Sequence, residues 1–162
     1  TEDEIAGDDA NYKMNPPLRS AADVEALVDG LADGTMEAIS TDHAPHGEEE
    51  KKQSIAKAPF GIVGSETAYA LSVTHLVKTG KLTPLQLVEK MSTNPCRILS
   101  VPGGTLSVGE PADITIADMD SEYVIDKNTF LSKGKNTPFD GAKVNGRVYY
   151  TIVGGNIVYQ YE

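Results

Sequence analysis

Residues 41–46 carry the side chains best suited to chemistry, because they read Thr-Asp-His-Ala-Pro-His. Asp42 offers a carboxylate, which is a hard oxygen ligand for a metal ion and a group that can shuttle a proton. His46 offers a cation or a hydrogen-bond donor suited to a carboxylate. The same residue types are common as turn caps. A metal ion needs three or four ligands, whereas this segment supplies one or two, so composition alone leaves both interpretations open.

Two predicted strands would place this segment at one edge of a parallel sheet. Residues 36–40 are typical of a short, mostly buried strand that leads to Asp42, and residues 11–18 begin like a strand that stops at a double proline. A helical pattern separates them, and the order strand, helix, strand predicts parallel pairing through a right-handed crossover. The carboxyl ends of both strands then carry Asn15, Asp42 and His46, at the edge where barrels and open α/β sheets hold their chemistry.

The remaining elements follow from capping and periodicity. In the first helix, apolar residues between 24 and 31 recur at helical spacing, Ser20 is the predicted N-cap with Asp23 as its capping-box partner, and Gly34 is the predicted C-cap. A charged loop at 47–57 and a glycine-punctuated turn at 58–64 come next.

Three more helices are predicted, at 66–79, from Thr83-Pro84 and from Asn94-Pro95. An all-β module follows, with strands at 105–108, 112–117, 123–125, 147–153 and 156–159. Gly154-Gly155 is predicted to join the last two strands as a hairpin.

Composition excludes several classes of protein. The net charge of −10 disfavours binding to nucleic acid, because phosphate backbones repel an acidic chain. The single cysteine, Cys96, excludes a disulfide framework and a thiolate zinc cluster within the chain, which fits a reducing cytoplasm. No apolar run approaches the roughly 20 residues of a membrane span. The chain begins without Met, which fits a trimmed terminus or a cut inside a longer polypeptide.

Several of these motifs resemble the dihydroorotases of the cyclic amidohydrolase superfamily. The paired segments 13–19, Lys-Met-Asn-Pro-Pro-Leu-Arg, and 39–46, Ile-Ser-Thr-Asp-His-Ala-Pro-His, look like the late-barrel motifs of that family. Residues 58–67 are similar to its following loop and helix. His46 and Asn15 are the specific part of the resemblance, since hydantoinases and allantoinases share the Asp-His pair but usually lack the second histidine.

The resemblance implies a role for each matching residue. Asp42 matches the last zinc ligand of the barrel, which also acts as the general base and proton donor of the reaction. His46 and Asn15 match residues that hold the carboxylate and ring of dihydroorotate, and Phe60 and Gly61 match a loop whose main chain contacts the ring. One or two zinc ions are implied, but the other family ligands, four histidines and a bridging lysine or aspartate, have no counterpart here and are expected upstream.

Other polar residues receive structural interpretations. His75 falls in a helical pattern where a packing or surface role is expected, and His43 is expected to hold the turn of its motif. Cys96 is read as buried packing. Arg19 could contact an anion, but pairing with an acidic neighbour is the favoured interpretation.

Together these features predict an α/β protein. Residues 1–100 would be the C-terminal strands and helices of a (β/α)8 TIM barrel, and residues 101–162 a segment of a small β-sandwich. Such an incomplete barrel exposes strand edges, so the N-terminal portion of the same enzyme is the expected partner, with a homo-oligomer as the expected assembly. The implied reaction interconverts dihydroorotate and N-carbamoyl-aspartate. The alternatives are a hydantoinase- or allantoinase-like cyclic amidase and a non-catalytic subunit that supports aspartate transcarbamoylase.

Overall fold

The computed structural model describes residues 1–5 and 7–162 of the chain. They form two compact units, each assembled from three separate stretches of sequence. The first unit comprises Thr1–Val28, Thr41–Tyr69 and Val124–Lys143, and the second comprises Asp29–Ser40, Ala70–Tyr123 and Val144–Glu162. All the predicted site residues lie in the first unit. The boundary near residue 100 stays a prediction.

Helix α1, Ala21–Asp33, begins and ends where its capping residues predict. The Ser20 hydroxyl donates to the Asp23 carboxylate at 2.7 Å, and the Ser20 hydroxyl oxygen accepts from the Asp23 N–H at 3.3 Å. The Asp23 carboxylate also accepts the Ser20 N–H at 3.2 Å, so the capping box is closed in both directions. Gly34 follows the helix with a φ of +90°, a left-handed conformation that glycine adopts without strain.

The later helices match the prediction in position, but two of them widen into π turns. Thr83 caps the helix that begins at Pro84 through a 3.2 Å bond from the Gln86 N–H, as the Thr-Pro signal predicts. The charged loop after residue 46 contains a short helix that was not predicted. The helices are α2 (Glu48–Lys51), α3 (Ala68–Ser72, continued by a π turn at Val73–Val77), α4 (Pro84–Val88, continued by a π turn at Glu89–Thr93) and α5 (Asn94–Leu99).

A three-stranded sheet in the order β1-β2-β3 forms the β part of the chain. Its strands are β1 (Ile114–Val124), β2 (Lys143–Val153) and β3 (Asn156–Gln160). Strands β2 and β3 pair antiparallel with Val153 opposite Asn156, which confirms the hairpin. The predicted strands at 112–117 and 123–125 are one continuous strand, β1. The predicted strand at 105–108 is wrong, because those residues are exposed and irregular.

The two strands predicted before the Asp-His motif are also wrong. Residues 11–18 begin in a 3-10 turn at Ala10–Tyr12 and are irregular beyond it, and residues 36–40 are irregular and largely exposed. A strand needs a neighbour to accept its main-chain hydrogen bonds, and no strand among residues 1–5 and 7–162 lies beside either segment. Ile39 instead donates its N–H to the Lys90 carbonyl oxygen at 3.0 Å. The parallel pairing expected from them is therefore not formed among the described residues.

Each unit has its own apolar core. In the first, Ala10, Ala58, Val63 and Ile125 are fully buried, and in the second the buried set is Ala70, Val73, Leu82, Leu87 and Val144. Strand β3 contributes nothing to either core, since all five of its residues are exposed. No helix within the described part of the chain is long and apolar enough to cross a membrane.

Candidate functional site

The segment that carries Asp42 is an irregular loop, and hydrogen bonds to residues 62–65 hold it in place. The Ala44 N–H donates to the Ile62 carbonyl oxygen at 2.9 Å. The His43 ring accepts the N–H groups of Gly64 and Ser65 on Nδ1, at 3.0 and 3.2 Å, which confirms its structural role in the turn. These bonds fix the loop on both sides of its polar residues.

Asp42 stands out in this loop by its backbone. Its φ is +44°, and only one other non-glycine residue in the described part of the chain, Ser100, has a positive φ. Aspartate tolerates this left-handed conformation better than most residues do. The side chain is exposed, and no described residue hydrogen-bonds to its carboxylate or pairs with it. The loop therefore presents a free carboxylate in a fixed, uncommon conformation.

His46 is bonded to the loop that contains Phe60. Its Nε2 lies 2.8 Å from the Phe60 carbonyl oxygen. A carbonyl oxygen only accepts, so Nε2 must carry the hydrogen. The other ring nitrogen, Nδ1, lies 4.0 Å from the Glu50 carboxylate. The ring is thereby oriented with one N–H committed to a neutral acceptor.

Gly61 is required at its position for two reasons. Its φ is +109°, and a Cβ placed there would lie 2.5 Å from the Cβ of Ala44, which is closer than carbon atoms approach. Its N–H donates to the Lys13 carbonyl oxygen at 2.9 Å. The close approach of these two loops thus depends on the missing side chain.

Asn136 joins the two loops and was missed by the sequence analysis. Its amide nitrogen donates to the carbonyl oxygens of Ala44 at 3.0 Å and Gly61 at 3.1 Å, and its amide oxygen accepts the His46 N–H at 3.0 Å. Only 5% of the residue is exposed. No pattern in the sequence marks it. Gly134, two residues earlier, lies so close to the motif that a Cβ there would be 2.7 Å from the Cβ of Pro45.

Lys51 binds the main chain of the loop that contains Phe60 and Gly61. Its Nζ donates to the carbonyl oxygens of Pro59 at 3.1 Å and Gly61 at 3.0 Å, and only 9% of the residue is exposed. Burial lowers the pKa of this ammonium group, which the nearby Asp9 partly offsets. Two carbonyl oxygens thus compensate a buried cation.

The structure brings some of the predicted site residues together and leaves others apart. His46, Phe60 and Gly61 are in direct contact, and a Cβ at Gly61 would lie 3.7 Å from the His46 Nε2. Asp42 lies on the same loop as His46. Asn15 is exposed and lies two residues after Lys13, whose carbonyl oxygen accepts the Gly61 N–H. Among the described residues, no hydrogen bond joins Asp42 or Asn15 to His46, Phe60 or Gly61. The first unit thus holds all five on adjoining segments.

The described side chains do not provide the set of ligands that a zinc ion needs. Zinc takes three or four nitrogen, sulfur or carboxylate ligands. In residues 1–5 and 7–162 no three His, Cys, Asp or Glu side chains are grouped to hold a metal ion. Asp42 could supply one ligand, but the described residues do not fit a zinc ion by themselves.

Arg19, His75 and Cys96, for which structural roles were predicted, can be compared with the structure one by one. Arg19 pairs with Asp23 at 3.6 Å, as favoured, and His75 is exposed on its helix, which confirms a surface role. Cys96 is half-buried, whereas full burial was expected. It packs against the chain at Gly104, where a Cβ would approach the Cys96 Cβ to 3.2 Å.

Residues 10–158 match the sequence model of the amidohydrolase family. The chain belongs to this family. Among curated relatives of this amidohydrolase chain, the dihydroorotase of Bacillus licheniformis is 56% identical over 160 residues, which are 99% of this chain and 37% of the relative. The dihydroorotase of Bacillus subtilis is 54% identical over 98% of this chain and 37% of its own length. The amidohydrolase chain thus spans little more than a third of these relatives.

Solved structures agree with the family. An L-hydantoinase from Arthrobacter aurescens matches the amidohydrolase chain with a TM-score of 0.87 and 34% identity over 94% of this chain and 36% of the hydantoinase. A D-hydantoinase from Thermus sp. matches with a TM-score of 0.84 and 29% identity, over 93% of this chain and 34% of its own. The fold is therefore an amidohydrolase fold, in which the elements described above form one part.

Proposed function

We propose that this chain is the C-terminal portion of a dihydroorotase, the enzyme that interconverts dihydroorotate and N-carbamoyl-aspartate. The observation that carries the proposal is the His46 ring, held against the Phe60 carbonyl oxygen in a loop pair that Asn136 joins. The 56% identity to a dihydroorotase supports it, compared with 34% identity to a hydantoinase.

In this proposal Asp42 moves the proton. Its free carboxylate accepts a proton from the water that adds to the ring carbonyl carbon, and the C–N bond then breaks. Asp42 returns the proton to the departing amide nitrogen and is regenerated. The products are a carbamoyl amine and a carboxylic acid, which loses its own proton to solvent and becomes the carboxylate. General-base catalysis of this kind typically contributes 10²–10⁴-fold.

His46 holds the substrate carboxylate in this proposal. Its Nε2–H turns from the neutral Phe60 carbonyl oxygen to the anionic carboxylate, a change that favours binding because charge-assisted hydrogen bonds are about twice as strong. Asn15 is exposed and lies two residues after Lys13, and in this proposal it holds the ring of the substrate. The net gain is smaller than that of a new bond, because one bond is exchanged for another.

The main chain of the Phe60 loop would contact the pyrimidine ring through Phe60. Both main-chain groups of Gly61 are already bonded, its N–H to Lys13 and its oxygen to Lys51 and Asn136. The Phe60 N–H has no bonded partner among the described residues. It is therefore the donor best suited to a ring carbonyl oxygen, while Gly61 gives the loop its shape.

Partners complete the proposal. Since the described residues do not fit a zinc ion alone, the one or two ions of the resemblance would draw their other ligands from the N-terminal portion of the same enzyme, and the barrel and sandwich would be completed there. We further propose a homo-oligomer, with aspartate transcarbamoylase as an additional partner in the alternative of a non-catalytic subunit.

A hydantoinase-like activity is the second candidate, favoured by the similarity to two hydantoinase structures. The two candidates differ at the substrate carboxylate, which a hydantoin ring lacks. His46 is the residue whose proposed role depends on that group.

The test uses the complete encoded protein with dihydroorotate and with hydantoin as substrates. His46→Ala should raise the KM for dihydroorotate about tenfold, which corresponds to about 1.4 kcal/mol for one exchanged charge-assisted bond. His75→Ala is the matched control, because that histidine is exposed on a helix of the other unit. Turnover of hydantoin in preference to dihydroorotate would support the second candidate. Turnover of neither ring by a zinc-loaded protein would support the non-catalytic subunit.

A further inference from the structure

A cavity of about 350 Å³ lies within the first unit, and five of its ten lining residues are lysines. The other five are Asn11, His46, Glu48, Asn128 and Asn136, so the cavity adjoins the candidate site at His46 and Asn136. The chain as a whole has a net charge of −10, so this concentration of positive charge runs against its composition. A pocket of one charge sign with protein walls attracts small ions of the opposite sign. We call it the lysine pocket, and its basic residues are Lys51, Lys52, Lys127, Lys133 and Lys135.

Two of the lysines have carboxylate partners. Lys52 pairs with Glu48 at 2.9 Å, and Lys127 pairs with Asp140 at 3.3 Å. These pairs are largely exposed and their charges offset each other. They frame the pocket without adding to its attraction for an anion.

The other three lysines have no carboxylate within ion-pair distance among the described residues. Lys51 is nearly buried and uses two of its three Nζ hydrogens on carbonyl oxygens. Lys135 donates to the Phe130 carbonyl oxygen, and exposed Lys133 has no bonded partner in the described part of the chain. Three ammonium groups with unused donors therefore line one small cavity.

An unsatisfied acceptor lies in the same wall. The amide oxygen of Asn11 is buried and has no hydrogen-bond partner among residues 1–5 and 7–162. Asn11 lines the lysine pocket. A buried acceptor without a partner destabilises the protein, and a ligand that brings an O–H or N–H donor would satisfy it. The pocket is therefore complementary to a molecule that carries both an anionic group and a hydrogen-bond donor.

We propose that the lysine pocket binds a phosphate monoester that carries a hydroxyl or amine donor. The phosphate lies among Lys51, Lys133 and Lys135, whose three positive charges suit a dianion better than a single carboxylate. The donor of the same molecule reaches the Asn11 amide oxygen. The volume exceeds that of a bare phosphate and lies at the lower end of the range for small-molecule sites. His46 lines both this cavity and the proposed ring site, so the two sites adjoin. The phosphate site goes beyond the proposed function because its ligands are Lys51, Lys133 and Lys135, and because the ring substrate carries one carboxylate and no phosphate.

Calorimetric titration of the complete encoded protein tests the proposal, with inorganic phosphate, glycerol 3-phosphate and glycerate as probes. We expect one saturable site per chain, with glycerol 3-phosphate binding more tightly than phosphate and glycerate more weakly than either. Lys133→Ala and Lys135→Ala should each weaken glycerol 3-phosphate binding about five- to tenfold. Asn11→Ala should remove the advantage of glycerol 3-phosphate over phosphate. Lys81→Ala, which removes an exposed lysine of the second unit, is the control for net charge.

Three results would overturn it. They are the absence of a saturable site, an equal loss of affinity in Lys81→Ala, and displacement of phosphate by dihydroorotate at equimolar concentration. The first removes the site, and the second reduces it to general charge attraction. The third makes it part of the ring-binding site. Thermal melts of each variant identify any loss that comes from unfolding, and Lys133→Ala is the decisive variant because its side chain is exposed.

Discussion

Asn136→Ala should destabilise the first unit and disturb the His46 loop together. The substitution removes three hydrogen bonds, two donated to carbonyl oxygens and one accepted from the His46 N–H. Each such bond contributes about 0.5–1.5 kcal/mol, and the groups left behind are partly buried. Gly61 keeps its bond from Lys51, which limits the loss. The expected cost is about 3 kcal/mol in the free energy of unfolding.

Asn136→Asp separates the donor from the acceptor role of the side chain. One carboxylate oxygen can still accept the His46 N–H, but the other faces the carbonyl oxygens of Ala44 and Gly61. That repulsion, together with burial, raises the pKa of the introduced carboxyl group above its unfolded value of about 3.9. The destabilisation is then complete above the raised pKa, and it is lost as the pH falls through that pKa toward 3.9. Stability relative to the wild type should therefore recover on acidification.

Urea unfolding of the complete encoded protein at pH 7 and near pH 4.5 measures both effects, with the KM for dihydroorotate as a second readout. Asn128→Ala is the matched control, because that asparagine is exposed and its side chain bonds only to Asp126. It should cost less than about 0.5 kcal/mol. An Asn136→Ala protein within 0.5 kcal/mol of the wild type would refute the reasoning, and so would an Asn136→Asp protein with no relative recovery at low pH.

Three further predictions concern the same part of the chain. Asp42→Asn should leave the melting temperature unchanged, because both residues tolerate a left-handed backbone, and should lower turnover by 10²–10⁴-fold. Gly61→Ala should destabilise the protein by more than about 2 kcal/mol, whereas Gly141→Ala, also at positive φ but with open space around its Cβ, should cost only about 1 kcal/mol. The Asp23 pKa is lowered mainly by the Ser20 hydroxyl, so Ser20→Ala should raise it toward 3.8 in an NMR titration. The wild-type cap contributes above that pH and is lost as the pH falls through the lowered pKa.

Each of these predictions has a result that contradicts it. Wild-type turnover in Asp42→Asn would reduce Asp42 to a turn residue. Equal melting temperatures for the two glycine variants would mean that the close approach at Gly61 does not constrain the loop. An unchanged Asp23 titration in Ser20→Ala would show that the capping hydroxyl does not hold the carboxylate in solution.

The sequence predicted best where the signal was local. Helix α1 and its cap at Ser20 depend on residues within four positions of each other, and so does the turn at Gly154 and Gly155. The strands predicted at 11–18 and 36–40 failed because strand formation depends on a neighbour that the pattern does not specify. The polar segments therefore lie in loops, where the sequence pattern predicted the ends of strands.

The candidate site was predictable in part for the same reason. The Asp-His-Ala-Pro-His motif marks Asp42 and His46 by type and spacing, and the resemblance added Phe60 and Gly61. Asn136 could not be found in this way, because it lies 90 residues from His46 in sequence and acts only on main-chain atoms. An asparagine in a loop carries no pattern that distinguishes a bridging role from a turn.

The way the two loops are joined has a consequence for substitution at position 60. The hydrogen bonds between them involve main-chain atoms, the Asn136 amide and the His43 and His46 rings. The side chain of Phe60 is 56% exposed, and its one described contact is with the Lys13 ammonium group, 4.6 Å from the ring centroid. A substitution of the Phe60 side chain therefore leaves these hydrogen bonds in place, whereas a side chain at position 61 would meet Ala44 and loss of the Asn136 amide removes three bonds. The geometry of the loop pair is thus carried by groups other than the Phe60 side chain, and the main-chain N–H of Phe60 would keep its place whatever residue stands there.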